Sequence, residues 1–168
     1  DNGIPTTSSD HRVWGNIPHG ATPYLIHALL EKIDNFCLLI TKDSQQAIAV
    51  ENALKFYQAS SKEIFVFPDW ETLPYDTFSP HEDIISQRLD TLNLLPNVDK
   101  GILIIPINTL LHRLPPQEFL QRHSLSLKKS QKFDPTKYRK MIEAVGYRRV
   151  DTVYEHGEYT LRGAIFDV

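Results

Sequence analysis

The residues Gly15-Asn16-Ile17-Pro18-His19-Gly20-Ala21-Thr22 are spaced like a phosphate-binding loop, G-x-x-x-x-G-K-[ST]. Such a loop wraps phosphates in backbone N–H groups at a helix N-terminus; its lysine neutralises the terminal phosphates and its Ser or Thr holds Mg²⁺. Gly15, Gly20 and Thr22 stand in place, but Ala21 occupies the lysine position. Pro18 removes one amide donor from the loop, and Pro23 removes another just beyond it. Seven glycines in 168 residues give a G-x4-G pair by chance about 0.3 times per chain, so the skeleton alone is a weak sign. Val13-Trp14 before it and a helical stretch after Thr22 favour a relic over coincidence. Either way the chemistry is negative. The γ-phosphate loses its main charge partner, no neighbouring lysine replaces it, and neither efficient ATP hydrolysis nor a bound cofactor is expected.

Other residues of chemical type are better explained structurally. His19, His27, His81, His112, His123 and His156 are scattered, without the spacing that encloses a metal. Asp69/Glu71 and Glu82/Asp83 are carboxylate pairs, yet Glu82 fits as the third-position partner of Ser79 in a capping box. Trp70, Leu73, Pro74, Tyr75 and Phe78 could stack on a nucleic-acid base, but Asp69, Glu71 and Asp76 beside them favour packing over phosphate approach. The lone Cys37 lies in the apolar run Phe36–Ile40 and reads as a small buried hydrophobe. Without a possible internal disulfide, the expected compartment is the reducing cytoplasm.

The elements that must position these residues alternate between strand and helix. Thr22-Pro23 opens a helix over Tyr24–Lys32, with Thr22 as cap, and Phe36–Ile40 reads as a buried strand. Residues 44–58 form a helix on which Ala47, Val50, Ala53 or Leu54, and Tyr57 recur at helical spacing. Ile64–Phe67 is a second strand, and Pro68–Phe78 is irregular. Ser79-Pro80-His81-Glu82 caps a helix that runs to about Leu95 and stops at Pro96. Gly101–Ile107 is a continuous apolar strand, as expected where helices cover both faces of a parallel sheet. Beyond Pro115-Pro116 the texture changes. Ser124–Lys128 alternates like a half-buried strand, Asp134-Pro135 opens a helix closed by Gly146, and two strands flank a turn at His156-Gly157. The fold class is therefore α/β: a parallel-sheet, P-loop-like domain over residues 1–118, then a smaller α+β domain over 119–168.

Charge follows the same division. Residues 1–118 carry 8 Lys/Arg against 15 Asp/Glu, a net −7, whereas residues 119–168 carry 10 against 6, a net +4. An acidic first part argues against a strong autonomous nucleic-acid binder. The group Lys128, Lys129, Lys132, Lys137, Arg139 and Lys140 leaves both a DNA contact and a plain lysine-rich face open. No apolar run approaches the roughly 20 residues that cross a membrane, and no basic-then-apolar signal segment opens the chain. The chain stops inside an apolar strand, Ile165-Phe166-Asp167-Val168, as a truncated piece would.

Three segments carry a family resemblance: Asp69–Leu92 (DWETLPYDTFSPHEDIISQRLDTL), Gly101–Leu114 (GILIIPINTLLHRL) and Gly146–Val168 (GYRRVDTVYEHGEYTLRGAIFDV). Together they resemble the N-terminal region of the bacterial transcription-repair coupling factor family (Mfd), which is itself similar to the excision-repair subunit UvrB. The resemblance runs from about Arg12 onward and is weakest before Phe65. It implies a UvrB domain 1-like fold without ATPase competence, in agreement with Ala21. It also implies that the damage-probing hairpin of UvrB is missing, because Tyr75–Pro80 passes directly into the capped helix. Residues 119–168 resemble the domain through which UvrB and the coupling factor bind UvrA, and the arginine implicated in that contact falls on Arg162. Contacts with RNA polymerase and double-stranded DNA, and the ATP-dependent DNA translocase, belong in this family to regions beyond Val168.

The physics of Arg162 is compatible with docking. On a strand over Glu158–Val168, Thr160, Arg162 and Ala164 share one face, and Gly163 reads as a bulge that bends the edge to present the arginine. A guanidinium pairs bidentately with carboxylates and is the common interface cation. Spacing alone favours a solvated strand arginine, and only the resemblance reverses that preference. The competing classes are thus a non-catalytic adaptor that recruits UvrA, a residual nucleotide-binding protein, and a DNA-binding module.

Overall fold

A computed structural model describes residues 4–5, 7, 9–18, 20–57, 62–72, 76–124 and 129–168. They form two compact units, Asp1–Asp69 with Asn97–His112, and Trp70–Pro96 with Arg113–Val168. The first unit is an α/β layer. Its sheet has three parallel strands in the order β1 (Phe36–Thr41), β3 (Gly101–Pro106), β2 (Glu63–Val66). The central strand is the apolar GILIIP run, and Ile102, Ile104, Ile105 and Pro106 on it are buried. Gly101 is required where it stands. A Cβ there, at φ 153°, would lie 2.7 Å from the Glu63 carbonyl oxygen.

One face of this sheet is covered by α1 (Ala21–Leu30) and α2 (Ser44–Tyr57). Ala47, Val50 and Leu54 recur at helical spacing on α2 and meet Leu30, Ile102 and Ile104 in the core. Cys37 and Leu39 pair in register with Ile102 and Ile104 and pack against that core. Burial pushes the Cys37 thiol pKa up, which suits its reading as a small hydrophobe rather than a nucleophile. The apolar run Phe36–Ile40 is not buried on both faces, however. Leu38 and Ile40, which alternate with the core residues and so lie on the opposite face of this edge strand, are about half exposed.

Two helix starts differ from the sequence reading. α1 begins at Ala21 with Gly20 at its N-cap, so Thr22 and Pro23 lie inside the first turn instead of capping it. A helix leaves its first four N–H groups without intrahelical partners, so a proline anywhere in that turn costs no helical bond. α3 (Glu82–Leu94) is capped by His81, whose Nδ1 accepts the Asp83 amide N–H at 3.3 Å, and not by Ser79. A short 3-10 turn, Leu95–Asn97, then carries Pro96.

The second unit joins α3, α5 (Gln117–His123) and α6 (Pro135–Ala144) to a small sheet in the order β4 (Arg148–Arg149), β5 (Glu158–Arg162), β6 (Ile165–Asp167). The compact units do not follow a boundary at residue 118, which falls inside α5; α3 groups with the later residues. Regrouped this way, the first unit carries 6 Lys/Arg against 9 Asp/Glu and the second 12 against 12. The basic character of the chain's last third is therefore balanced by acids brought in with residues 70–96. α6 starts where its sequence indicates, with Asp134 Oδ1 accepting the Thr136 and Lys137 amides at 3.0 and 3.2 Å and Pro135 at the first position. The alternating segment Ser124–Lys128 lies, apart from Ser124, outside the described residues.

The hairpin is displaced from its expected place. β4 pairs parallel to β5, so residues 156–157 lie in a loop between parallel strands. The antiparallel hairpin joins β5 to β6 through Gly163-Ala164, with Thr160, Leu161 and Arg162 opposite Asp167, Phe166 and Ile165. Gly163 is the first residue of this two-residue turn, at φ 58°, rather than a bulge within a single strand. A run of alternating residues did not reveal where the chain reverses, and both Gly157 and Gly163 adopt positive φ, so the glycines alone did not decide it.

Candidate functional site

The loop over residues 15–20 is the first place to seek a ligand. Among its described residues the backbone is not framed as a working phosphate loop would be. Residues 10–15 form no strand, Val13 is 94% exposed, and Gly15 and Gly20 would each tolerate a Cβ without a contact inside 4 Å. A working phosphate loop is instead pinned between a sheet strand and a helix, and its glycines permit close approach. The Ala21 amide, one of the few free donors at the start of α1, already bonds to the Pro18 carbonyl at 2.8 Å. Pro23 offers none. Arg12, the nearest cation along the chain, is engaged by Asp10 at 3.0 Å. His19 lies outside the described residues.

The carboxyl ends of the parallel strands are the other usual ligand position in an open α/β sheet. Here their polar groups satisfy one another. After β1, Asp43 Oδ1 accepts the Gln46 amide at 2.8 Å at the start of α2, and that bond holds its carboxyl below the usual carboxylate range. After β2, Asp69 accepts from Asn108 Nδ2 at 2.7 Å and from the buried Thr109 hydroxyl at 3.1 Å, both on α4 (Ile107–Leu110), the turn that follows β3. Among the described residues no group of His, Cys, Asp or Glu could hold a metal ion. Nor is any helix among them long and apolar enough to cross a membrane.

The aromatic and basic candidates are likewise accounted for in part. Trp70 has one ring face taken by the guanidinium of buried Arg88, 3.9 Å from its centroid, while Leu73, Pro74 and Tyr75 lie outside the described residues. Phe78 is exposed. Lys129, Lys132, Lys137 and Lys140 are exposed, whereas Arg139 is half-buried with Glu143 3.9 Å from its Nε.

The β5–β6 hairpin is different in kind. Tyr159 is fully buried, and its hydroxyl donates to Glu143 Oε1 on α6. That hydrogen bond, reinforced by burial, raises the phenol pKa above its ordinary value. Phe133, Tyr138 and Phe166 complete an aromatic core, with Phe133 stacked on Tyr138 at 4.7 Å and tilted against Phe166 at 5.1 Å. The loop before β5 is fixed by Glu158, whose Oε2 accepts the Tyr154 and Glu155 amides at 3.0 and 3.2 Å. Those two N–H groups, Tyr154 first, pull the Glu158 carboxyl below its ordinary pKa. On this hydrogen-bonded, buried base Arg162 sits exposed at the end of β5, next to the turn, and pairs with no carboxylate among the described residues. Tyr159, Glu143 and Glu158 were not singled out from the sequence. Only the alternation along residues 158–162 hinted at the buried tyrosine.

The family model for the UvrB interaction domain matches residues 125–168. Over 165 residues, 98% of the chain, the sequence is 45% identical to the transcription-repair-coupling factor of Haemophilus influenzae and 40% identical to that of Escherichia coli. The Staphylococcus aureus factor is 34% identical over 134 residues, 78% of the chain. The chain belongs to the transcription-repair coupling factor family. It corresponds to the N-terminal region of these proteins and spans 14% of the length of the first two. Within this coupling-factor sequence the UvrB interaction domain match takes in α6, β4 and the whole β5–β6 hairpin, so Arg162 lies inside it.

Proposed function

We propose that this chain is a non-catalytic scaffold and UvrA-recruitment module, the N-terminal part of a coupling factor that acts in transcription-coupled nucleotide excision repair. The observation that carries the reading is the exposed Arg162 on a rigidly braced hairpin inside the UvrB interaction domain match. A guanidinium without an internal carboxylate is available for bidentate pairing with an acid on a partner. The first unit supplies the platform. Gly15, Gly20, Ala21 and Thr22 are the remnant of a nucleotide site that lost its lysine, its supporting strand and part of its donor set. Nucleotide-driven DNA translocation, RNA polymerase contact and double-stranded DNA binding belong, in this reading, to the rest of the coupling factor.

Titration of purified UvrA against the labelled chain tests the docking claim. Arg162→Ala is expected to weaken binding at least about tenfold, as loss of a central interface arginine does, without lowering thermal stability. Unchanged affinity would remove Arg162 from the site. A parallel titration with duplex DNA at rising salt separates the DNA-binding alternative, because phosphate contacts weaken steeply as salt increases.

A further inference from the structure

Arg162 does not stand alone at the end of the hairpin. Directly opposed residues of an antiparallel pair lie on one face, with Cβ atoms about 4.5–5.5 Å apart. The register places Ile165 directly opposite Arg162, and Ile165 is 63% exposed. The same face carries Thr160 opposite Asp167. Thr160 is buried, so the face is closed at that end and opens toward the turn, where the Arg162–Ile165 pair lies. Phe166 and Leu161, on the other face, point to the aromatic side with Tyr159, 6.2 Å from the Phe166 ring. The hairpin thus spends its aromatic residues inward and leaves one cation and one branched aliphatic side by side outward. Asp167, two residues beyond Ile165 on the same face, is exposed and makes no ion pair with Arg162.

We infer that Arg162 and Ile165 form one composite contact, matched to a partner surface that presents a carboxylate beside a shallow apolar depression. This rests on the docking reading above and deepens it by naming a second contact residue and the chemistry of its partner. The two halves differ in physical character, which makes them separable. A charge pair at an interface is screened by salt, whereas burial of about one aliphatic side chain is not. The Gly163 turn fixes both, since a glycine at positive φ holds the register that sets Ile165 opposite Arg162.

The experiment is a UvrA titration of the 168-residue chain and its Arg162→Ala, Ile165→Ala, Ile165→Leu and double Arg162→Ala/Ile165→Ala variants, at low and high salt. Ile165→Ala is expected to weaken binding about fivefold to tenfold at both salt concentrations. Ile165→Leu should stay within about twofold of the parent, and the Arg162→Ala effect should shrink at high salt. The double variant should lose less than the product of the single effects, because the two side chains meet one partner patch. Thermal midpoints verify folding, and an Ile165 already mostly in water contributes little to the core. If Arg162→Ala weakens binding while Ile165→Ala stays within twofold, the composite contact is wrong and the arginine docking reading stands. If neither changes affinity, or the parent chain does not bind UvrA at all, the docking reading falls and takes this one with it.

Discussion

The loop at residues 15–22 and the hairpin at residues 158–167 each contain glycines that the sequence offers as functional marks, and their surroundings could hardly differ more. Gly15 and Gly20 stand in open space, on a segment that no strand anchors and whose Ala21 amide is spent on Pro18. Gly163 turns a hairpin in which Thr160, Leu161 and Arg162 pair in register with Asp167, Phe166 and Ile165, and whose base rests on the buried Tyr159. In the proposed reading, a loop with most of the motif but no frame is silent, whereas a single arginine on a frame docks a partner. Function then follows the bracing behind a residue rather than the motif around it.

That contrast can be broken most forcefully at the brace. Tyr159→Ala removes a fully buried ring from the cluster with Phe133 and Phe166 and strands Glu143 without its donor. The expected cost is about 3–5 kcal/mol. Hydrogen exchange should show loss of protection concentrated in residues 133–168, with α2 and β3 of the first unit little affected, and UvrA binding should fall with it. Protection lost equally in both units would refute the claim that the hairpin has its own brace.

A smaller effect is expected at Glu158. Its carboxyl sits below the ordinary value of 4.5 because the Tyr154 and Glu155 amides donate to it. A group whose folded pKa is depressed contributes stability above its unfolded pKa and loses it as pH falls through the folded one. Acidification below about pH 4.5 should therefore release the 154 and 155 amides to exchange, and Glu158→Gln should flatten that dependence. Amide exchange followed by NMR across this range decides it; protection that ignores pH would mean the carboxylate does not hold the loop.

The fold was legible where apolar residues recur with a clear period. On α2 the spacing marks Ala47, Val50 and one of Ala53 or Leu54, of which Leu54 is buried, and the strand expected over Gly101–Ile107 runs over Gly101–Pro106, because burial on one stripe or on both faces imposes a visible pattern. Reversals and caps were less legible. His81 capped α3 in place of Ser79, and Gly163 turned the hairpin in place of His156-Gly157. Local turn chemistry permits several neighbouring choices, and tertiary packing selects among them. Charge misled through grouping: the basic tail pairs in its unit with the acids of residues 70–96, leaving 12 against 12. Arg162 entered through family resemblance alone, because an exposed strand arginine has no periodic signature. Ile165, its opposite number, required the register.

The smallest expected effect is also the sharpest test of the comparison. If the missing lysine were all that silenced the loop, Ala21→Lys would restore Mg²⁺-dependent binding of an ATP analogue. The geometry argues that it will not. A lysine supplies charge to phosphates already held by backbone amides. Here Ala21 N–H is engaged by Pro18, Pro23 has no N–H, and the described residues 10–15 form no strand to fix the loop's path. Titration of a labelled analogue should therefore show no saturable binding at micromolar concentrations for either the parent or Ala21→Lys. Binding gained by the variant would show that the frame survives and that one side chain silenced it. Binding by the parent itself would mean that the loop was never silent, and that a motif can act here without the bracing that the hairpin so plainly has.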